Sequence, residues 1–194
     1  GLGLRSTATI MFGHVDGPVN WARHLLRVRD LQADTSGFTE LVPLPFVHME
    51  APIYLKGRAR RGPTFREALL MHAVARLALH PYITNIQTSW VKMGADGAAA
   101  ALKAGANDLG GTLMNETITR AAGAEHGQEM APAAMERLIR DLGRTPRQRT
   151  TGYADAPAER IGAASAAAPL QEVVNTPAAK YARRKRDTII SAAE

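Results

Sequence analysis

The sequence predicts an α/β fold in which parallel strands alternate with helices. Four apolar segments rich in β-branched residues are each followed by a stretch of helical character. Polar side chains follow the carboxyl end of each predicted strand, and no GxGxxG or GxxxxGK(S/T) fingerprint is present. Convergence of polar groups from consecutive strands is typical of a barrel active site, and a full (βα)8 barrel needs about 250 residues. We therefore expect about four strands that form the second half of a TIM-type barrel, followed by a C-terminal tail.

The first two strand–helix units lie in the N-terminal third of the chain. Residues 5–12 (RSTATIMF) predict a buried strand that ends at Gly13. Pro18 opens a helix, as its missing N–H is unpaired at that position anyway, with an apolar face that we assign to Trp21, Leu25, Leu26 and Val28. Residues 38–44 predict the second strand. The segment 45–63 has too many prolines and glycines for regular structure.

The third unit follows the same order. Thr64 is expected to cap a helix over 65–80, and Glu67 three residues later completes a capping box. Residues 82–89 (YITNIQTS) predict a third strand, and the alanine-rich residues 96–105 predict the helix after it.

The composition changes towards the C-terminus. Residues 106–109 predict a short fourth strand, and residues 131–142 predict a helix. From Thr145 onward the periodic apolar pattern is lost. We expect 145–153 to pack as an arm on a domain spanning 1–153, with 154–194 as an extension that is partly flexible or helical.

Composition excludes several classes of function. The net charge is +6, but aromatic residues make up 5% and the basic residues form no single stripe, which argues against nucleic-acid binding. No run approaches the roughly 20 apolar residues of a membrane helix, and no secretory pattern opens the chain, so a cytoplasmic protein without a membrane partner is expected. The chain contains 0 cysteines, which excludes disulfides and thiolate metal sites within it.

Five segments of the sequence resemble one known family. They are ATIMFGHVD (8–16), LVPLPFVH (41–48), NIQTSWVKMG (85–94), GANDLGGTLMNETITRAAGAEHG (105–127) and RTPRQRTT (144–151). They occur in the family's order, and together they resemble the tyrosine-using domain of the FO synthase family, which is far more specific than one short motif.

The resemblance implies a radical reaction. In that family S-adenosyl-L-methionine is cleaved at a 4Fe-4S cluster, and the radical activates L-tyrosine. The hydroxyphenyl part of tyrosine is joined to 5-amino-6-(D-ribitylamino)uracil during deazaflavin biosynthesis. The family's CxxxCxxC motif is absent from this sequence. The resemblance therefore implies that this chain corresponds to the last four units, is inactive alone, and works with a missing N-terminal half-barrel or by self-association.

The resemblance also suggests site residues, although it leaves the catalytic residues unknown and implies no metal ligand in this chain. Met11, Gly13 and Asp16 match a degenerate GxIxGxxE pattern beside the adenine of S-adenosylmethionine, with Asp16 in place of Glu. A glycine lets the backbone approach a flat ligand, and an acidic side chain can fix the turn. A plain strand-to-loop turn would explain the same pattern.

Substrate contacts are expected from seven residues at the predicted strand ends. His14 and His48 could bind a substrate carboxylate or act in proton transfer, since imidazole as a group titrates near neutrality. Gln87 and Ser89 share one strand face and suit the edge of a uracil ring. A carboxylate can hold an amine or ribityl hydroxyls. The residues are His14, His48, Gln87, Ser89, Asn107, Asp108 and Glu116.

Other interpretations stay open. Each histidine could be a hydrogen-bonded structural residue, Gln87 and Ser89 could form a polar layer, and Asn107 and Asp108 could cap a loop. The chain could also be a related menaquinone-pathway enzyme, or a non-catalytic half-barrel module that pairs with another chain.

Overall fold

The fold is a mixed α/β arrangement, seen in a computed structural model that describes residues 3–113 and 116–168. Within these two ranges the regular strands are β1 (Ser6–Phe12) and β2 (Phe38–Pro45). The helices in the described residues are α1 (Pro18–Thr35), α2 (Pro52–Leu55), α3 (Phe65–Leu79), α4 (Trp90–Lys103), α5 (Ile118–Ala121), α6 (Pro132–Asp141) and α7 (Ala158–Ala166). The predicted α/β class is confirmed. None of these helices is long and apolar enough to cross a membrane.

The strand segments are parallel and follow chain order. β1 pairs with β2 in a register that places Ala8 opposite Leu41. Isolated parallel bridges then join Leu41 to Ile86, and Gln87 to Asp108. The backbone N–H of Gln87 donates to the carbonyl of Leu41 at 3.0 Å, which continues the ladder beyond β2.

The third and fourth predicted strands, 82–89 and 106–109, do not form regular strands. In these segments, side chains hydrogen-bond to backbone N–H and carbonyl groups that would pair with a neighbouring strand in a longer sheet. The amide oxygen of Asn107 accepts from the Ile86 N–H at 2.8 Å, and Arg76 donates to the carbonyls of Thr84 at 2.7 Å and Gly105 at 2.9 Å. The sequence pattern therefore located the segments correctly but overestimated their regularity.

One face of the sheet carries the hydrophobic core. Ala8, Ile10 and Phe12 alternate into it, as the period of a strand requires. Trp21 of α1 meets Phe12 edge to face at 5.4 Å between ring centroids. Leu26, which we placed on the apolar face of α1, is 42% exposed because it lies about 100° around the helix from the buried Leu25.

The predicted capping box of α3 is confirmed. Thr64 Oγ1 accepts from the Glu67 N–H at 3.2 Å, and Glu67 Oε2 accepts from the Thr64 N–H at 2.7 Å. The guanidinium of Arg60 donates to the same Glu67 oxygen at 2.5 Å. These bonds satisfy orphan groups at the helix start and tie the preceding loop to it.

Helix α4 begins six residues before the predicted start at residue 96, because the helical stretch continues across a kink at Gly94. Gly94 adopts φ 69°, a conformation that favours glycine. Helix α2 lies in the segment 45–63, where no regular structure was predicted, and α7 lies in the predicted extension. The rest of that extension, 169–194, lies outside the described residues.

Candidate functional site

A cleft lies where the chain leaves the carboxyl ends of the strand segments. It has a volume of about 240 Å³. We call it the carboxyl-end cleft, and its lining residues are Phe46, Val47, His48, Met49, Lys92, Ala124, Glu125 and His126. Sites for drug-sized ligands usually measure about 300–1,000 Å³. The cleft is therefore large enough for one small ligand or part of a larger one.

Three parts of the chain build this cleft: the loop after β2, the first turn of α4, and the loop after α5. The Glu50 N–H donates to the Ala122 carbonyl at 3.0 Å, which holds the two loops together. Gly123 permits this contact, because a Cβ at its φ of 101° would lie 2.5 Å from the Cβ of Met49.

Lys92 brings a half-buried ammonium to the cleft. Burial lowers the pKa of Lys92, and the negative charge of Glu116 opposes that effect. Glu116 Oε1 accepts from the N–H and the hydroxyl of Thr119, at 3.0 and 3.2 Å. Its Oε2 is buried without a hydrogen-bond partner among the described residues. The predicted residue Glu116 therefore lies next to the cleft's cation.

His48 is the predicted residue that lines the cleft directly. Its ring meets Tyr54 edge to face at 4.7 Å. Burial and the positive charge of Arg61 lower the pKa of His48, so the ring is neutral at pH 7. A neutral imidazole can donate one hydrogen bond and accept another, which suits either substrate binding or proton transfer.

The ring of His14 meets the ring of Phe46, a lining residue of the cleft, edge to face at 5.6 Å between centroids. Its Nδ1 accepts from the Val15 N–H at 2.7 Å and stands 3.3 Å from Asp16 Oδ1. A nitrogen that accepts a hydrogen bond does not donate to a carboxylate, so the contact between His14 Nδ1 and Asp16 is not a hydrogen bond. His14 is thus next to the cleft wall and does not form part of its lining.

The turn after β1 is fixed by Asp16. Its Oδ1 accepts from the N–H groups of Gly13 and His14, both at 2.9 Å, and its Oδ2 accepts from the indole of Trp21. A Cβ on Gly13 would lie 2.4 Å from Pro63, so the glycine is needed for contact with the chain itself. The third residue predicted to bind S-adenosylmethionine, Met11, is 49% exposed on the sheet face away from the core. The cofactor roles of Met11, Gly13 and Asp16 remain predictions.

The remaining residues predicted to bind substrate do not line the carboxyl-end cleft. Gln87 packs against Gly110, where an added Cβ would lie 2.8 Å from its Nε2, and its backbone bridges Asp108. The side chain of Asn107 is bound by Arg76, whose guanidinium donates to Asn107 Oδ1 at 2.8 Å. Ser89 precedes α4 without a side-chain cap bond. Their substrate-binding roles also remain predictions, and Asn107 has a structural role that accounts for its presence.

A second polar cluster lies on the sheet face opposite the core. Glu40 of β2 and Asp108 are joined there by two residues of the C-terminal arm, Arg149 and Tyr153; we call these four residues the arm cluster. Arg149 Nε donates to Asp108 Oδ2, and its Nη2 is 3.4 Å from Glu40 Oε2. Tyr153 donates its hydroxyl to Glu40, and the guanidinium of Arg149 stacks 4.0 Å above the Tyr153 ring.

The charges of the arm cluster support one another. Burial alone would lower the pKa of Arg149, but its hydrogen bond to Asp108 and the surrounding charges raise the pKa overall. Burial, followed by the hydrogen bond to Glu40, raises the pKa of Tyr153. Both groups therefore keep their protons at neutral pH, and the arm stays tied to the sheet.

Sequence reasoning missed Lys92, Glu125 and His126, although all three lie in segments that carry the family resemblance. Lys92 follows the predicted third strand by three residues, which was the available signal. Among residues 3–113 and 116–168, no group of three or more histidine and acidic side chains is arranged to hold a metal ion.

Comparison with known proteins identifies several relatives. A family model described as the CofH/MqnC C-terminal region matches residues 35–160. The chain is 56% identical over 153 residues to the FO synthase of Mycobacterium leprae, covering 79% of this chain and 18% of that protein. It is 52% identical over 163 residues to the FO synthase of Streptomyces coelicolor, covering 84% and 19%.

A shorter relative is also similar. The 5-amino-6-(D-ribitylamino)uracil--L-tyrosine 4-hydroxyphenyl transferase of Methanopyrus kandleri is 54% identical over 152 residues, covering 78% of this chain and 41% of that protein. The chain thus matches less than a fifth of the FO synthases and about two fifths of the transferase.

Proposed function

The chain belongs to the family of CofH/MqnC C-terminal regions, and we propose that it supplies this region in a radical S-adenosylmethionine transferase of the FO synthase type. In this proposal the complete enzyme transfers the hydroxyphenyl part of L-tyrosine to 5-amino-6-(D-ribitylamino)uracil in deazaflavin biosynthesis. The supporting observation is the 54% identity over 152 residues to a protein named for a transferase with these two substrates.

The parallel order of the strand segments supports the barrel part of the proposal. β1, β2 and the segments at 86–87 and 108 are neighbours in chain order, as they would be in half of a (βα)8 barrel. The carboxyl-end cleft lies at the corresponding ends of β2 and of the segment before α4, where barrel enzymes hold their substrates. The preceding strands would come from a missing N-terminal half-barrel or from self-association.

The iron–sulfur cluster does not fit this chain. Such clusters are held by cysteine thiolates, and the sequence contains 0 cysteines. In the proposed enzyme the CxxxCxxC portion would hold the 4Fe-4S cluster and supply the radical chemistry with S-adenosyl-L-methionine. This chain would position the substrates, and alone it would be inactive. A cytoplasmic location remains a prediction.

The experiment is an anaerobic complementation assay. The chain is co-purified with the portion of the Methanopyrus kandleri transferase that precedes the matched region, and is given a reductant, S-adenosylmethionine, L-tyrosine and the aminouracil. We expect mass spectrometry to detect the coupled product only when both polypeptides are present. A matched control replaces the cysteines of the N-terminal portion with serine and should abolish the product. Absence of product from a correctly assembled, cluster-loaded pair would contradict the proposal.

A menaquinone-pathway activity is the second candidate, because the matching family description spans two names. It would leave L-tyrosine unconsumed in the same assay, so a single preparation separates the two functions. A non-catalytic half-barrel module would assemble with the partner portion without consuming either substrate.

A further inference from the structure

We infer that the carboxyl-end cleft is the half-site for the free amino acid substrate, where Lys92 pairs with the α-carboxylate and Glu125 with the α-ammonium. The ligand class is an α-amino acid with a large apolar or aromatic side chain. The inference rests on the proposed function and adds to it, because it divides the substrate site into parts and assigns one part to residues not otherwise connected with the reaction.

The charges of the cleft match a zwitterion. Lys92 is half-buried and Glu125 is exposed, and both line the same cleft. Charge-assisted hydrogen bonds to a carboxylate and to an ammonium require one group of each sign. Glu116 also lies near Lys92, but it is not one of the residues that line the cleft; its Oε2 is buried, and its Oε1 accepts from Thr119. Burial lowers the pKa of Lys92, and the negative charge of Glu116 opposes this effect and so favours the charged ammonium that would bind an anion.

The walls of the cleft suit the remainder of such a ligand. Phe46, Val47, Met49 and Ala124 supply apolar surface, and the neutral ring of His48 offers a hydrogen-bond partner for a phenol. The volume of about 240 Å³ is below the usual range for drug-sized ligands, so the cleft has room for one amino acid and not for a ribityl-uracil as well.

The backbone at Gly94 makes room for the last wall of the cleft. A Cβ on Gly94 would lie 2.8 Å from His126 Nε2, at a φ of 69° that side-chain-bearing residues rarely adopt. The kink in α4 therefore lets the His126 ring lie against the first turn of the helix, close to Lys92 in the chain. The glycine and the histidine together define this edge of the cleft.

Ligand binding to the 194-residue chain tests the inference. L-tyrosine, tyramine and 3-(4-hydroxyphenyl)propionate are titrated by NMR; the second lacks the carboxylate and the third lacks the ammonium. Lys92→Met should weaken L-tyrosine binding about tenfold or more and leave tyramine binding unchanged. Glu125→Gln should weaken L-tyrosine and leave the propionate unchanged. Lys103→Met, at the exposed end of the same helix, is the matched control and should change neither.

Several results would overturn the inference. They are no saturable binding of L-tyrosine to the folded chain, equal binding by the parent chain and Lys92→Met, or equal weakening of tyramine and L-tyrosine. Glu125 is exposed, so its variant tests the site even if Lys92→Met fails to fold. In the complementation assay, product formation with an unchanged KM for tyrosine in Lys92→Met would refute the half-site and keep the proposed function. Tyrosine binding without turnover would do the reverse.

Discussion

Replacing Arg149 with methionine should measure how strongly the C-terminal arm holds the sheet. Arg149 is the cation between Asp108 and Glu40, whose side chains are 7% and 10% exposed. Its loss leaves the buried carboxylates of Asp108 and Glu40 without the cation that pairs with both. Breaking a buried pair by removing one partner costs about 3–5 kcal/mol. The Arg149 side chain is 24% exposed, so water screens part of the interaction, and we expect about 3 kcal/mol.

Thermal unfolding monitored by circular dichroism is the assay. For a chain of this size about 3 kcal/mol corresponds to a fall in Tm of about 6–12 °C. The matched control is Arg140→Met, which breaks the exposed pair with Glu136 in α6, where the side chains are 60% and 40% exposed. Such i,i+4 pairs contribute about 0.3–0.5 kcal/mol, so the control Tm should change by less than about 2 °C.

A second substitution separates charge from packing. If the cost in Arg149→Met comes from the stranded carboxylates, then adding Asp108→Asn should restore part of the lost stability, because the amide carries no charge. If the cost comes only from lost contacts, the double variant should be no more stable than the single one. A Tm shift in Arg149→Met no larger than that of Arg140→Met would refute the reasoning entirely.

Three further predictions test individual contacts. Thr64→Ala removes the cap of α3 and should lower the free energy of unfolding by about 1 kcal/mol in urea titrations; an unchanged midpoint would show that the cap contributes nothing. Gly13→Ala places a methyl group 2.4 Å from Pro63 at a φ of 86° and should cost about 2 kcal/mol or more by the same measurement, so a variant as stable as the parent would contradict the close approach of these two segments. Burial lowers the pKa of His72 in the folded chain. Well above the unfolded pKa of about 6.5 the imidazole is neutral in both the folded and the unfolded chain, and below it the unfolded chain binds the proton more readily. The free energy of unfolding should therefore fall with decreasing pH, by up to about 1.4 kcal/mol per pH unit. The Tm, measured from about pH 7.5 to about pH 5, should fall less steeply with decreasing pH for His72→Gln than for the parent chain. Equal slopes for the two chains would disprove this role of His72.

The sequence was most informative where local rules decide the structure. The capping box at Thr64 and Glu67, the strand 6–12 and the proline at the start of α1 all follow from interactions within a few residues. The prediction of regular third and fourth strands was wrong because the side chains of Arg76 and Asn107 hydrogen-bond to the backbone of these segments. Each of these side chains is distant in sequence from at least one of its partners. No local propensity could have reported those bonds.

In the candidate site, too, the sequence predicted the features that depend on neighbouring residues and missed those that depend on residues distant in the chain. His48 follows a strand and lines the cleft, as its position suggested. Asp108 also lies towards the end of a strand segment, yet its carboxylate is bound by Arg149, 41 residues later. Pattern reasoning could place Asp108 at a strand end but could not show that the arm returns to occupy it. Lys92 was missed for a related reason, since its burial depends on loops that follow other elements.

The two sheet faces connect the arm to the proposed function. Parallel strands are normally covered on both faces, because crossover helices and core packing leave neither side to water. Here the helices cover one face, while the other carries the half-exposed Met11 and the arm cluster, to which Glu40 belongs. In a closed barrel that second face would line the interior, with Tyr153 filling it beside Glu40 near the amino end of β2, and with Arg149 stacked on Tyr153. The carboxyl-end cleft would then be the open end, so loss of the Arg149 contacts should loosen the sheet before it disturbs the cleft, and Arg149→Met should bind L-tyrosine with unchanged affinity at temperatures below its lowered Tm.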